Sequence, residues 1–185
     1  MIFQQSALDR IEVEEEPPRM AGQHEQGERL TVTASLTTGV GRVTHGMQES
    51  VSLIEEILTM DHVDWETTLS VGDVEFHSTK EEGPYPNHQL RISVRPSASV
   101  AALSYIDHDD PQMSIANSYN PKRPLPEVDL IFSGTTASVF PRTAVIPIAD
   151  ARQALTEWLE HASDQPASNG TRTTRTRRPD DNRRW

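Results

Sequence analysis

The chain has 185 residues, 17 basic and 28 acidic, no cysteine and a net charge of −11, enough for one domain with a core and some unstructured ends. Only 35% of residues are hydrophobic and the mean hydropathy is −0.59, so the polar excess is expected in flexible termini and long loops. No run approaches the ~20 apolar residues of a membrane span, and "MIFQQSALDRIEVEEEPP" lacks the basic-then-apolar order of a secretory signal. The missing cysteines exclude disulfides and thiolate metal sites and fit a reducing compartment, so a cytoplasmic protein without a membrane partner is expected.

Charge is unevenly placed. Residues 171–185 hold six arginines and two aspartates, a balance of +4, which leaves −15 on the rest. An acidic body repels nucleic acid and attracts a basic partner, with steering that fades in salt. Residues 1–28 lack any apolar period and read as a flexible acidic segment. Residues 29–162 read as an α+β domain, and 163–185 as a flexible Arg-rich tail.

Within the domain, "RLTVTASLTT" alternates Leu30, Val32, Ala34 and Leu36 with Thr and Ser, the pattern of a half-buried strand that "GVG" ends. Met47, Val51, Ile54 and Leu58 then fall at helical spacing with Glu49, Glu55 and Glu56 opposite. Trp65, Thr67, Leu69 and Val71 predict a strand closed by a Gly-Asp turn, and Leu90, Ile92 and Val94 predict another. "SVAALSYID" is a more apolar, central strand. The Pro-, Asn- and Asp-rich "HDDPQMSIANSYNPKRPLPE" reads as a long surface loop with little regular structure. "VDLIFSG" and "ASVFP" predict a hairpin around Gly134.

Asp150 followed by Gln153 has the spacing of a helix N-cap with a capping box. Ala151, Ala154, Leu155, Trp158 and Leu159 make one apolar stripe, with Arg152, Gln153, Thr156 and Glu157 opposite. The predicted fold is therefore α+β: a mainly antiparallel sheet with two packed helices, at about 47–58 and 150–161.

Chemistry is sparse. "DHVD" and "DHDD" are the densest groups of potential ligands, but neither has a second histidine at helical spacing and both abut turns. Neither GxSxG, SxxK nor a phosphate-binding glycine loop is present. Trp65, Tyr105, Phe132 and Trp158 have core explanations from periodicity. No metal, cofactor or catalytic residue is called for. A binding surface is the better expectation: Asp107, Asp109 and Asp110 end one strand, Glu127 and Asp129 return on the next, and neighbouring strands would merge them into one acidic patch, with Tyr119 as a buried anchor.

"ALSYID", "DLIFSG", "FP", "AVIPIADARQALTEWLE" and "RVTHGMQESV" together resemble the first-numbered family of immunity proteins from bacterial polymorphic toxin systems. The matching positions are Phe132, Gly134, Phe140, Pro141, Pro147, Ala151, Arg152, Ala154, Leu155, Trp158 and Leu159, within a likeness from Val43 to Glu160. "RRPDDNRRW" echoes the family's Arg-Pro, short gap and final Trp, set off from the helix by a low-complexity insert. The resemblance implies a non-catalytic antitoxin that occludes a cognate toxin, often a nucleic-acid deaminase domain, without itself binding nucleic acid. Two other classes remain: an acidic adaptor or regulatory module, and a metal-dependent enzyme around "DHDD". A toxin gene beside this one would discriminate among the three.

Overall fold

The computed structural model describes residues 30–109, 115–120 and 126–164. The expectations of flexible ends concern residues that lie largely outside that set, Trp185 among them. The domain is α+β, as its two apolar periods predict.

The main sheet is antiparallel. It runs in the order β2 (Gly41–His45), β1 (Thr31–Ser35), β3 (Thr67–Gly72), β4 (His88–Arg95), β5 (Val100–Asp107) and β6 (Ile115–Asn117), and β9 (Ile146–Pro147) also pairs with β5. A separate hairpin joins β7 (Ile131–Ser133) to β8 (Ser138–Val139). Two helices, α1 (Gly46–Thr59) and α2 (Ile148–Ser163), complete the fold.

Register assigns every strand residue to a face. Val32 faces Val71, Leu69 faces Leu90, and Ile92 faces Leu103. These side chains belong to one buried cluster with Leu53, Ile54, Ile57 and Leu58 of α1 and Ala151, Leu155 and Leu159 of α2. On the opposite face the strands carry Thr33, Ser35, Thr68, Ser70, Gln89, Arg91 and Ser104. A smaller cluster covers part of that second face, where Val100 and Ala102 of β5 meet Leu130, Phe140, Ala144 and Val145.

Both helices begin on backbone rather than side-chain caps. Gly46, at φ +72°, donates its N–H to Leu30 O, and Glu49 reaches back to accept from the His45 N–H. In α2 the expected Asp150 cap does not form. Pro147 is extended within β9, so the helix starts at Ile148, whose N–H donates to Ser99 O at 3.1 Å. Asp150 falls instead in the first turn, where the helix dipole favours a carboxylate. Ala151, Leu155 and Leu159 are buried, but Trp158 is half-buried and Ala154 is exposed. The stripe is narrower than predicted, and beside it Arg152 ties α2 to Glu55 of α1 at 2.6 and 3.0 Å.

Three further expectations change. "GVG" does not lead straight to the helix: a turn with Gly39 at φ +78° folds residues 41–45 back as β2. The loop after β5 contains β6, because Ile115–Asn117 satisfies part of the otherwise open β5 edge. The third strand begins at Thr67, leaving Trp65 outside it and 50% exposed.

His62 is fully buried just after α1. Its Nδ1–H donates to Met60 O, and its Nε2 accepts from the Thr67 hydroxyl at 2.8 Å. The same hydroxyl accepts the Thr37 N–H at 3.0 Å. Burial pushes the His62 pKa below 6.5, outweighing the nearby groups that raise it. An unfolded chain binds this proton near pH 6.5 and the folded one does so only at lower pH, so stability is full above 6.5 and declines below it. Urea midpoints measured from pH 7.5 to 5 should fall on acidification. A His62→Gln variant should show a shallower slope, the difference between the curves isolating this group.

The same packing ranks two substitutions in α2. Leu155→Ala, at a fully buried position, should cost about 3 kcal/mol, and Trp158→Ala less than the ~3–5 kcal/mol of a fully buried Trp. Urea unfolding of both variants checks the order.

Candidate functional site

The acidic residues singled out by sequence do not form one group. Asp107 ends β5 opposite His88, and Asp109 lies in the bend that follows. Both are fixed by hydrogen bonds. Asp107 accepts from the Asp109 N–H at 2.9 Å and from the Tyr105 hydroxyl, while Asp109 accepts from the Asn87 amide at 3.0 Å. Asp110 lies outside the described residues.

Glu127 and Asp129 sit at the other end of the sheet. The Asp129 carbonyl accepts from Arg95, which pairs with Val100 at the start of β5, and its carboxylate meets Arg142 at 3.4 Å. Seven residues of strand separate Val100 from Asp107, about 24 Å at ~3.4 Å per residue. Asp129 precedes β7, and that hairpin strand is not a sheet neighbour of β5, so the expected merger of carboxylates fails.

Other carboxylates take that place. β3 ends at Gly72 on the same side of the sheet as Asp107, and the following loop carries Asp73, Glu75, Glu81 and Glu82 before returning at Asn87. Asn87 O accepts the His108 N–H at 3.0 Å, which seats the loop against the end of β5. Lys80, the loop's one lysine, lies 5.8 Å from the Tyr85 ring centre.

Tyr119 follows the edge strand β6. Its neighbours are anchored, with Ser118 N–H donating to Leu103 O and Asn120 N–H to Thr143 O. Tyr119 itself is 71% exposed, which leaves it open to a partner. Ile115, paired with Ile106, is also largely exposed on this edge.

A second site was missed by sequence reasoning. Ser35, Leu36, Thr37, Thr38, Gly39, Trp65, Glu66 and Thr68 enclose a cleft of about 440 Å³ at the β1–β2 turn. Trp65 forms its aromatic wall. The Trp65 carbonyl accepts from the Thr37 hydroxyl at 2.7 Å, and its indole packs on Gly134 of the β7–β8 turn. Glu66 accepts the Gly134 N–H at 2.9 Å and meets Arg91 at 3.4 Å. Arg91 in turn lies 5.2 Å from the Phe132 ring centre and donates to Phe132 O. Period two placed Trp65 in the core stripe. The flanking polar residues in "DHVDWE" were the available signal that the strand had not yet begun.

No group of three or more potential metal ligands occurs among the described residues, and no described helix is long and apolar enough to cross a membrane. Within "DHVD", His62 spends both ring nitrogens on internal hydrogen bonds.

Gly134 tests the wall directly. A Cβ there would lie 2.5 Å from the indole and 2.6 Å from Asp64 O, and backbone cannot swing aside as a side-chain tip can. Gly134→Ala should cost about 1–3 kcal/mol as overpacking and shift the Trp fluorescence, both readable in one urea titration.

No curated protein and no solved structure matches the chain. The family model described as Immunity protein Imm1 matches residues 38–169. That span takes in Asp107, Asp109, Tyr119, Trp65 and Gly134, and the chain belongs to the Imm1 family of immunity proteins.

Proposed function

We propose that this immunity protein neutralises a nucleic-acid deaminase toxin without catalysis, by binding over the toxin's active site in the cytoplasm. Family membership is the observation that carries the reading, since an immunity protein acts by engaging a cognate toxin protein. The charge distribution supports the finer part. An enzyme that works on nucleic acid presents a basic groove to its substrate, and the −15 carried outside the tail complements such a groove.

The docking surface in this reading is the end of the sheet at Asp107 and Asp109, extended by the carboxylates of the β3–β4 loop and by Tyr119 along the β6 edge, with Asp110 next in the chain. Hydrogen bonds hold Asp107 and Asp109 in place before binding, which lowers the ordering cost of an interface. Tyr119, exposed in the free protein, would be covered by the partner. Glu127 and Asp129, about 24 Å away by strand rise, act outside this patch.

Complementary charge speeds encounter more than it tightens the final complex. Replacing Asp107, Asp109 and Asp110 with Asn should slow association with the toxin about tenfold or more at low salt, with the difference shrinking as salt rises. Stopped-flow association across a salt series measures it. Glu127→Gln with Asp129→Asn serves as the comparison at the far end and should slow association less. An unchanged low-salt on-rate in the triple variant would remove this end of the sheet as the docking surface.

A further inference from the structure

The Trp65 cleft has the chemistry of a receptor for one cationic side chain. Its lining contains one aromatic wall, one carboxylate, the hydroxyls of Ser35, Thr37, Thr38 and Thr68, and no basic residue. Half of Trp65 is solvent-accessible although its backbone and one ring face are fixed. A large aromatic held in this way loses little freedom on binding, which is the character of an interface anchor. Asp64, exposed beside it, adds a second carboxylate on the chain.

The Glu66 side chain is 10% exposed, so a ligand reaches only the outer edge of its carboxylate. The Gly134 N–H and the Arg91 guanidinium take two of about four acceptor positions on its carboxylate. Arg91 is itself turned toward Phe132 and Gln89, and it is not among the residues that line the cleft. A cation entering the cleft would therefore meet the indole face, as in cation–π pairing, together with carboxylate and hydroxyl oxygens.

We infer that the Trp65–Glu66 cleft captures an arginine or lysine side chain of the toxin, as an anchor separate from the acidic end at Asp107. The inference rests on the toxin-binding reading above and deepens it. An apolar occupant would meet Trp65 and Leu36 but leave the open acceptor positions of Glu66 and the hydroxyls facing hydrocarbon, which carries a desolvation cost. A cation satisfies both walls.

The test is calorimetric titration of the full-length chain with the toxin domain encoded beside its gene. Trp65→Ala should weaken binding about 30-fold, the level of an interface hot spot. Trp65→Leu should fail to restore it, because leucine supplies apolar contact without a π face. Asp64→Asn with Glu66→Gln should weaken binding about tenfold, one charge-assisted hydrogen bond, and should flatten the salt dependence. Circular dichroism and thermal unfolding establish that each variant is folded, and Trp65→Phe, which keeps a π face, should bind better than Trp65→Leu. Wild-type affinity in Trp65→Ala would overturn the anchor alone. Full rescue by leucine, or an unaffected Asp64→Asn/Glu66→Gln variant, would overturn the cationic occupant. A wild-type chain that binds no toxin domain would overturn this inference together with the function it rests on.

Discussion

β5 has to be buried on both faces, and much of the molecule is arranged to do it. Val100 to Ser104 are all buried. The odd residues Ala101 and Leu103 look toward the helices, and the even residues Val100 and Ala102 look the other way. An apolar strand with two dry faces needs two covers. The second comes from the segment between Val128 and Val145, which wraps the hairpin β7–β8 and the following turn under the sheet. The edge needs closing too. β6 pairs along the second half of β5 and β9 along its start, and Ser118 bridges the gap by accepting from Leu103 N–H.

The second cover also creates the cleft. The hairpin is not hydrogen-bonded into the main sheet, so it is located by side chains: Glu66 accepts from Gly134, and Arg91 reaches Phe132. Phe132 meets Phe140 edge-on at 5.2 Å, linking those ties to the second core. Trp65 is pinned on Gly134 by the same contacts, with its outer half left toward solvent. A half-exposed tryptophan in a fixed frame is thus a by-product of how β5 is covered.

Legibility in the sequence followed the strength of the local period. The runs at Leu30–Leu36 and Leu90–Val94, and the helix around Ile54, bury one face each and could be read directly from alternation or 3.6-residue spacing. β2 and β6 could not: β2 buries no residue fully and β6 has three residues, so their partners rather than their own residues make them strands. The missed α2 start has the same cause, because Ser99, an αL residue far back in the chain, supplies the cap that Asp150 was expected to give. The candidate site was least legible of all. Asp107 and Asp109 were placed correctly at a strand end, yet Glu127 and Asp129 were joined to them on the assumption that successive strands neighbour each other. The hairpin breaks that rule. Trp65 was assigned to the core by a period that starts two residues later, at Thr67.

The two surfaces, finally, have to be reconciled with one partner. A stable interface buries roughly 800 Å² per side, a disc about 32 Å across. In register, Thr67 at the cleft end of β3 lies level with Ile92 and Leu103, four residues from Asp107 or ~14 Å by strand rise, so one partner of ordinary footprint can reach both. What lies between them on the second face is Gln89 and Arg91 of β4, half-buried and away from the helices. On the proposed reading the labour is divided along the sheet. Carboxylates at the Asp107 end attract and orient a basic toxin, and the fixed indole at the far end holds it. On that reading no catalytic group is called on, because blocking a groove requires only that both contacts form together.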